Sequence, residues 1–269
     1  MTVELGSAAE LEASLAAEDF EVARVFLSYG ACAPSAPEPC ALPRVAYSLD
    51  PPEPACGSFT VGEWTATWSE REYADAVEIV RAAIYEGDVY QVNLVQHLRA
   101  AFAGDPAALA AALAPLRPLE PAPLAGDGWA IVSASPELML QKRGRIVRTS
   151  PIKGTRPAGV PIDSAKDSAE HVMIVDLERN DLSRVCKPGT VRVERLMEPE
   201  RYSHVTHLVS EVVGELRDDV TPFQLLGAGF PAGTVSGAPK VRAMQIISDL
   251  EGFARGIYAG AVGYVLPEQ

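Results

Sequence analysis

The plainest hydrophobic patterning in the chain lies in residues 145–181. Residues 145–149, with the β-branched Ile146 and Val147, form a strand-like run that breaks at Pro151 and Gly154. Lys153 falls on the turn that this break predicts, and a helix is predicted from about Ser164. On that helix Asp167, Glu170, His171, Ile174 and Glu178 make one stripe, with Met173, Asp176 and Arg179 opposite. Arg179, Asn180 and Asp181 close it with polar groups. Side chains three residues apart share a helix face, so Asp167 and Glu170 can aim at one point. A charged stripe is more often a solvated face than a metal site. The cations Arg148, Lys153 and Arg156 just before the helix are what favour the second reading.

Before this stretch, residues 17–30 read as a helix or strand ending at Gly30, and the proline-rich residues 31–57 as loop around one possible strand, VAYSL. Thr65 and Thr67, alternating with Trp64 and Trp68, predict a strand. Ser69 and Glu72 form a capping box for a helix whose stripe is Tyr73, Ala76, Val77, Val80 and Ile84 and which ends at Gly87. Residues 89–95 alternate at period two, a half-buried strand that sets Gln91 and Asn93 on one face, toward either a site or solvent. Asp105 and Pro106 open a short helix through Leu113. In WAIVSASPELML a buried strand turns at Ser135-Pro136 and Glu137 starts another. Among apolar neighbours Glu137 reads as a general acid, and on an edge strand as an exposed residue.

After Pro188-Gly189 come two strand-like runs, and His207 shares a face with Val205 and Val209, where a satisfied core histidine is the ordinary outcome. Thr221-Pro222 caps a helix through Leu226. Residues 230–240 are a glycine-rich loop entering a helix with Pro239 at its first position and Val241, Met244, Ile247 and Leu250 on its apolar side. The last strand covers residues 257–265.

The 269 residues suffice for one large domain or two smaller ones, and a hydrophobic content of 48% is that of a soluble globular protein. No apolar run approaches the ~18 residues of a membrane span, and the N-terminus lacks the regions of a signal peptide, so a cytosolic location is expected. A net charge of −13 argues against nucleic-acid or anionic-membrane partners and requires that any anionic substrate be met by a local Lys, Arg or metal. Cys32, Cys40, Cys56 and Cys186 have no CxxC spacing, which predicts reduced thiols rather than a zinc site.

Six segments carry a resemblance: YQVNL, SASPELML, SPIKGTRP, KDSAEHVMIVDLERNDLSRV, HLVSEV and FPAGTVSGAPKVRAMQII. Their order and spacing resemble those of the chorismate-utilising enzymes, namely component I of anthranilate synthase and of aminodeoxychorismate synthase, and the isochorismate and salicylate synthases. The resemblance spans about residues 64–265. It implies an α+β fold of two stacked, largely antiparallel sheets with flanking helices, a short non-catalytic region over 1–63 and a chorismate-binding domain over 64–269. Lys153 in PIKGT is similar to the lysine of aminodeoxychorismate synthase component I, where anthranilate synthases carry alanine. Gln91 replaces the water-activating lysine of the isochorismate and salicylate synthases.

What the resemblance implies chemically is amination of chorismate at C4 on the way to 4-aminobenzoate and folate. Lys153 would add at C2, Glu137 would act as general acid and base, and His207 would lie beside the ring carboxylate. Gln91, Thr155, Gly237, Ala238 and Lys240 match substrate-contacting positions. Mg²⁺ would be held by Glu170 with Asp167 in support, and burial together with the neighbouring cations Arg148, Arg156 and the metal would depress the pKa of Lys153. Ammonia would come from a separate glutamine amidotransferase subunit. Two departures stand out: a short segment between Thr155 and Lys166, and an end soon after Tyr264, where relatives continue into further strands and a helix bearing a second metal-binding glutamate. That end predicts a last strand without its sheet neighbour and a chain impaired in amination. The rival readings are anthranilate synthase component I and an inactive relative that only binds ligand or partner.

Overall fold

The computed structural model describes residues 2–31, 33, 42–162 and 164–267. Predictions that touch Cys32, Pro34, Pro37, Pro39 and Cys40 fall outside those residues; Cys56 and Cys186 are free thiols. The fold is α+β, as expected, and its strand pairings are all antiparallel.

The larger of two main sheets has five strands and is organised on Val205–Glu215, buried along most of its length. Arg192–Arg201 lies along one side of it. Along the other side lie Ile146–Ser150 and Ile152–Pro157, end to end, with Leu138–Arg143 outside Ile146–Ser150. Pro151 interrupts the run without ending it, because its carbonyl still accepts from the Ser210 N–H at 3.2 Å. Helix Ala165–Ser183, capped by Ser164, lays Val175 and Leu182 against Val147, Val212 and Leu216 of this sheet. Its buried residues also include His171, Glu178 and Asp181. The charged stripe is therefore only partly a solvated face: Glu170 stays half-exposed, whereas Glu178 and Asp181 sit in the core because other elements supply their partners.

The second sheet runs Thr2–Leu5, Val45–Ser48, Ala23–Leu27, Ala261–Val265. The last strand thus has a neighbour, paired from Ala261↔Leu27 to Val265↔Ala23, and only its outer side is an edge. This sheet joins residues on both sides of the division expected after residue 63. One core group holds Leu11, Leu15, Leu27 and Tyr47, with Phe223 and Leu226 of helix Pro222–Gly229 against it; another joins Phe26 and Ala46 to Leu124 and Ile131.

Local signals are largely realised, although Ile84 of the predicted apolar stripe is 41% exposed and the last strand begins at Ala261 rather than at residue 257. Ser69–Glu72 and Thr221–Gln224 both form capping boxes, and Asp105 caps Pro106–Leu113. The strand predicted over 89–95 shrinks to Gln91–Val92, because its partner, Gly237–Ala238, is equally short and leads straight into helix Lys240–Leu250. Pro239 stands at the N-cap of that helix, one residue before the first helical position predicted for it, and the helix buries Ala243, Ile246 and Ile247, so Val241 points outward at 66% exposure instead of joining the apolar side.

Candidate active site

Lys153 lies on strand Ile152–Pro157 rather than on a turn. Pairing with Val205–Glu215 shifts register between Ile152 and Thr155, and Gly154 sits at the shift with φ +84°, a backbone conformation that favours glycine. This bulge sends the lysine off the ladder, and its Nζ donates to the Thr234 carbonyl at 3.2 Å. The Thr234 hydroxyl donates to the carboxyl of Glu137, the residue just before strand Leu138–Arg143. Lysine and acid therefore meet across one threonine.

Burial moves both groups toward neutrality. Desolvation raises the Glu137 pKa to about 7, against the opposing pull of the Thr234 hydroxyl, the Ile152 N–H and Lys153. Desolvation lowers that of Lys153, opposed by Glu137 and Glu170. Neither expected arginine is among the influences on Lys153: Arg148 pairs with Glu211 at 3.3 Å and Arg156 with Asp167. An amine whose pKa is lowered, beside a carboxyl whose pKa is raised to about 7, is suited to nucleophilic addition coupled to proton transfer.

One flank of this pair comes from the lysine strand and its neighbour Val205–Glu215. Thr155 sits opposite His207, with Oγ1 and Nδ1 2.7 Å apart, and Tyr202 meets the histidine ring edge-on at 5.1 Å. His207 is thus a half-buried polar group, its pKa lowered by burial and partly restored by Glu200, not a core histidine. His171 donates from Nδ1 to the Lys153 carbonyl at 3.0 Å and fixes the lysine strand from the helix side. Gln91 and Ala238 face each other across the two-residue ladder, and Gln91 Oε1 is a buried acceptor with no hydrogen-bond partner among the described residues. Gly237 comes so close that a Cβ there would lie 2.2 Å from the Gln91 carbonyl oxygen, so its identity serves the ladder.

Two expected site residues have other work. Lys240, expected at the substrate, gives its ammonium to Asp181 and, at 2.8 Å, to the Gly229 carbonyl. Asp167 is held by Arg156, which leaves Glu170 as the acid facing Lys153; its one ion-pair partner among the described residues is the exposed Lys166, at 3.6 Å. No group of three or more His, Cys, Asp or Glu gathers to hold a metal among the described residues. Magnesium binds proteins through one or two carboxylates and completes its shell with water and substrate oxygens, and Glu170 alone fits that pattern.

Thr234 and Glu178 escaped the sequence reading. In the glycine-rich loop Thr234 joins the two groups, its carbonyl accepting from Lys153 and its hydroxyl donating to Glu137. Glu178 was visible as a member of the polar stripe, but nothing local distinguished a buried acid from a solvated one.

The geometry defines a class, an α+β protein with a lysine–acid pair set in the larger sheet. The chain belongs to the chorismate binding enzyme family, whose description matches residues 28–269. It is 46% identical over 217 residues to anthranilate synthase component 1 of Aquifex aeolicus, covering 75% of this chain and 43% of that one. It is 41% identical over 220 residues to aminodeoxychorismate synthase component 1 of Bacillus subtilis, covering 76% and 46%. The chain thus spans about half the length of the curated relatives it matches. A solved anthranilate synthase component I from Streptococcus pneumoniae superposes with a TM-score of 0.78 at 27% identity, over 91% of this chain and 69% of that one. No helix among the described residues is long and apolar enough to cross a membrane.

Proposed function

We propose that this chain carries the amination chemistry of a component I synthase, converting chorismate to 4-amino-4-deoxychorismate with ammonia from a glutamine amidotransferase partner. The observation that carries the reading is the meeting of Lys153 and Glu137 at Thr234. The Lys153 amine adds at ring carbon C2, the double bond shifts, and the C4 hydroxyl leaves as water with the Glu137 proton. Ammonia then adds at C4, the double bond returns, and the lysine amine is expelled; the proton shed by ammonia restores Glu137. Thr155 and His207 line the place for the ring carboxylate, and Gln91 Oε1 offers an acceptor to a substrate hydroxyl. Magnesium bound at Glu170 would neutralise the ring carboxylate. The component 1 names of the relatives support an amidotransferase partner.

Amination at C2 to give anthranilate is the second reading, favoured by the higher identity to proteins named anthranilate synthase. Incubation with chorismate, Mg²⁺ and ammonia followed by product identification separates the two. Without ammonia, mass spectrometry should find a chorismate-derived adduct on the Lys153 peptide. Anthranilate as product, or an adduct on another residue, overturns the proposal.

A further inference from the structure

Beneath the Lys153–Glu137 pair lies a second acid that the mechanism above does not use. Glu178 is 5% exposed, on the face of helix Ala165–Ser183 turned to the core. Its Oε1 accepts from the Gly233 N–H at 3.1 Å and its Oε2 from the Thr149 hydroxyl at 3.3 Å. Gly233 immediately precedes Thr234, and Thr149 lies four positions before Lys153, on the end-to-end neighbour of the lysine strand. One carboxyl therefore ties down the loop that presents Thr234 and the strand run that presents the lysine. The approach is tight: a Cβ on residue 233 would lie 2.6 Å from a Leu177 methyl and 3.0 Å from Glu178 Oε1, so only glycine brings its N–H to this acid without displacing them.

We propose that Glu178 is a positioning residue: it holds Thr234 against Lys153 and Glu137 and, through its own charge, sets when Glu137 holds a proton. This rests on the reading of Glu137 as the proton donor. A half-buried and a buried acid bridged by Gly233-Thr234 do not ionise independently, because each charge makes the other costlier. The charged groups facing Glu178 are Lys240 at the start of the following helix, Asp181 one turn along its own helix, and Glu137 across the loop. Glu137 is faced by Lys153 and by the Tyr258 hydroxyl. Burial is the largest influence on Glu178, whose pKa stands at about 7, and Lys240 restrains it.

The test uses the intact chain labelled with ¹³C at glutamate side-chain carboxyls, titrated by NMR, so it needs no turnover and stays separate from whether the product is aminodeoxychorismate. Glu137→Gln and Glu178→Gln each remove and thereby identify one resonance. Both resonances should titrate near neutrality, and in Glu178→Gln the Glu137 midpoint should fall by about half a pH unit or more. Where that variant does not fold, Thr149→Val keeps the acid but removes one donor to its charged form, and should raise the Glu178 midpoint and, with less charge on Glu178 near neutrality, lower that of Glu137. In active protein, Glu178→Gln should move the basic limb of the kcat profile to lower pH, whereas a purely structural residue would lower kcat evenly. A Glu137 midpoint that stays in place in the folded variant overturns the proposal.

Discussion

Replacing Lys240 by Met tests whether its ammonium serves the fold or the substrate. Lys240 and Asp181 have side-chain exposures of 10% and 4% and pair directly. Removing one member of a buried ion pair costs about 3–5 kcal/mol, because the other charge is left unpaired. Arg184 remains 3.1 Å from Asp181, but at 55% exposure it offsets only part of the loss. The expected destabilisation is about 2–4 kcal/mol, a sizeable share of the ~5–15 kcal/mol that holds a domain together. The effect has a pH signature. Burial raises the Asp181 pKa and Lys240 opposes the rise, so without the lysine it climbs further. A carboxyl whose folded pKa lies above its unfolded value carries no penalty while protonated and loses stability as pH rises through the folded pKa. Lys240→Met should therefore approach wild-type stability in acid and fall well below it at pH 8. Urea unfolding at both pH values, followed by far-UV circular dichroism, reads this directly, and adding Asp181→Asn should recover part of the loss. Wild-type unfolding midpoints together with collapsed chorismate affinity would refute the reasoning and return Lys240 to the substrate.

Three further outcomes are expected. Lys153→Ala should abolish both the chorismate adduct and amination at C4, measured by mass spectrometry and product chromatography, with an unchanged urea midpoint at neutral pH. Glu170→Gln should weaken Mg²⁺-dependent chorismate binding by roughly tenfold or more in calorimetry, whereas Asp167→Asn should chiefly loosen Arg156 and cost stability; equal binding losses would mean that both acids ligate. Thr234→Val should raise the Glu137 midpoint in the carboxyl titration, because the hydroxyl now lowers it.

The sequence was most informative where chemistry is local. Ser69, Asp105, Ser164 and Thr221 announce helix starts through hydrogen bonds made within three residues, and each appears where expected. Lys153, Glu137, Thr155 and His207 were found through motif resemblance, and the sheet register is what brings Thr155 opposite His207. Partnerships across long separations were not legible. Nothing near Asp181 reveals that Lys240, 59 positions later, neutralises it, and nothing in PIKGT shows that Pro151 leaves the strand path unbroken. Residues 89–95 had the alternation of a longer strand, but ladder length depends on the partner, and the partner offers two residues.

The second sheet sets a constraint on how the molecule is made. Leu27 and its partner Ala261 are 234 positions apart, so Ala23–Leu27 waits for this neighbour until more than 230 further residues have been synthesised. At about 5–20 residues per second, that interval is roughly 12–47 s. Throughout it the strand ARVFL offers an open ladder edge with Val25 and Phe26 alongside, a template for any extended segment nearby. Val45–Ser48 arrives early and covers only the opposite side. Arrival of Ala261–Val265, rather than emergence of the first strands, is therefore the moment at which this edge of the molecule stops being adhesive.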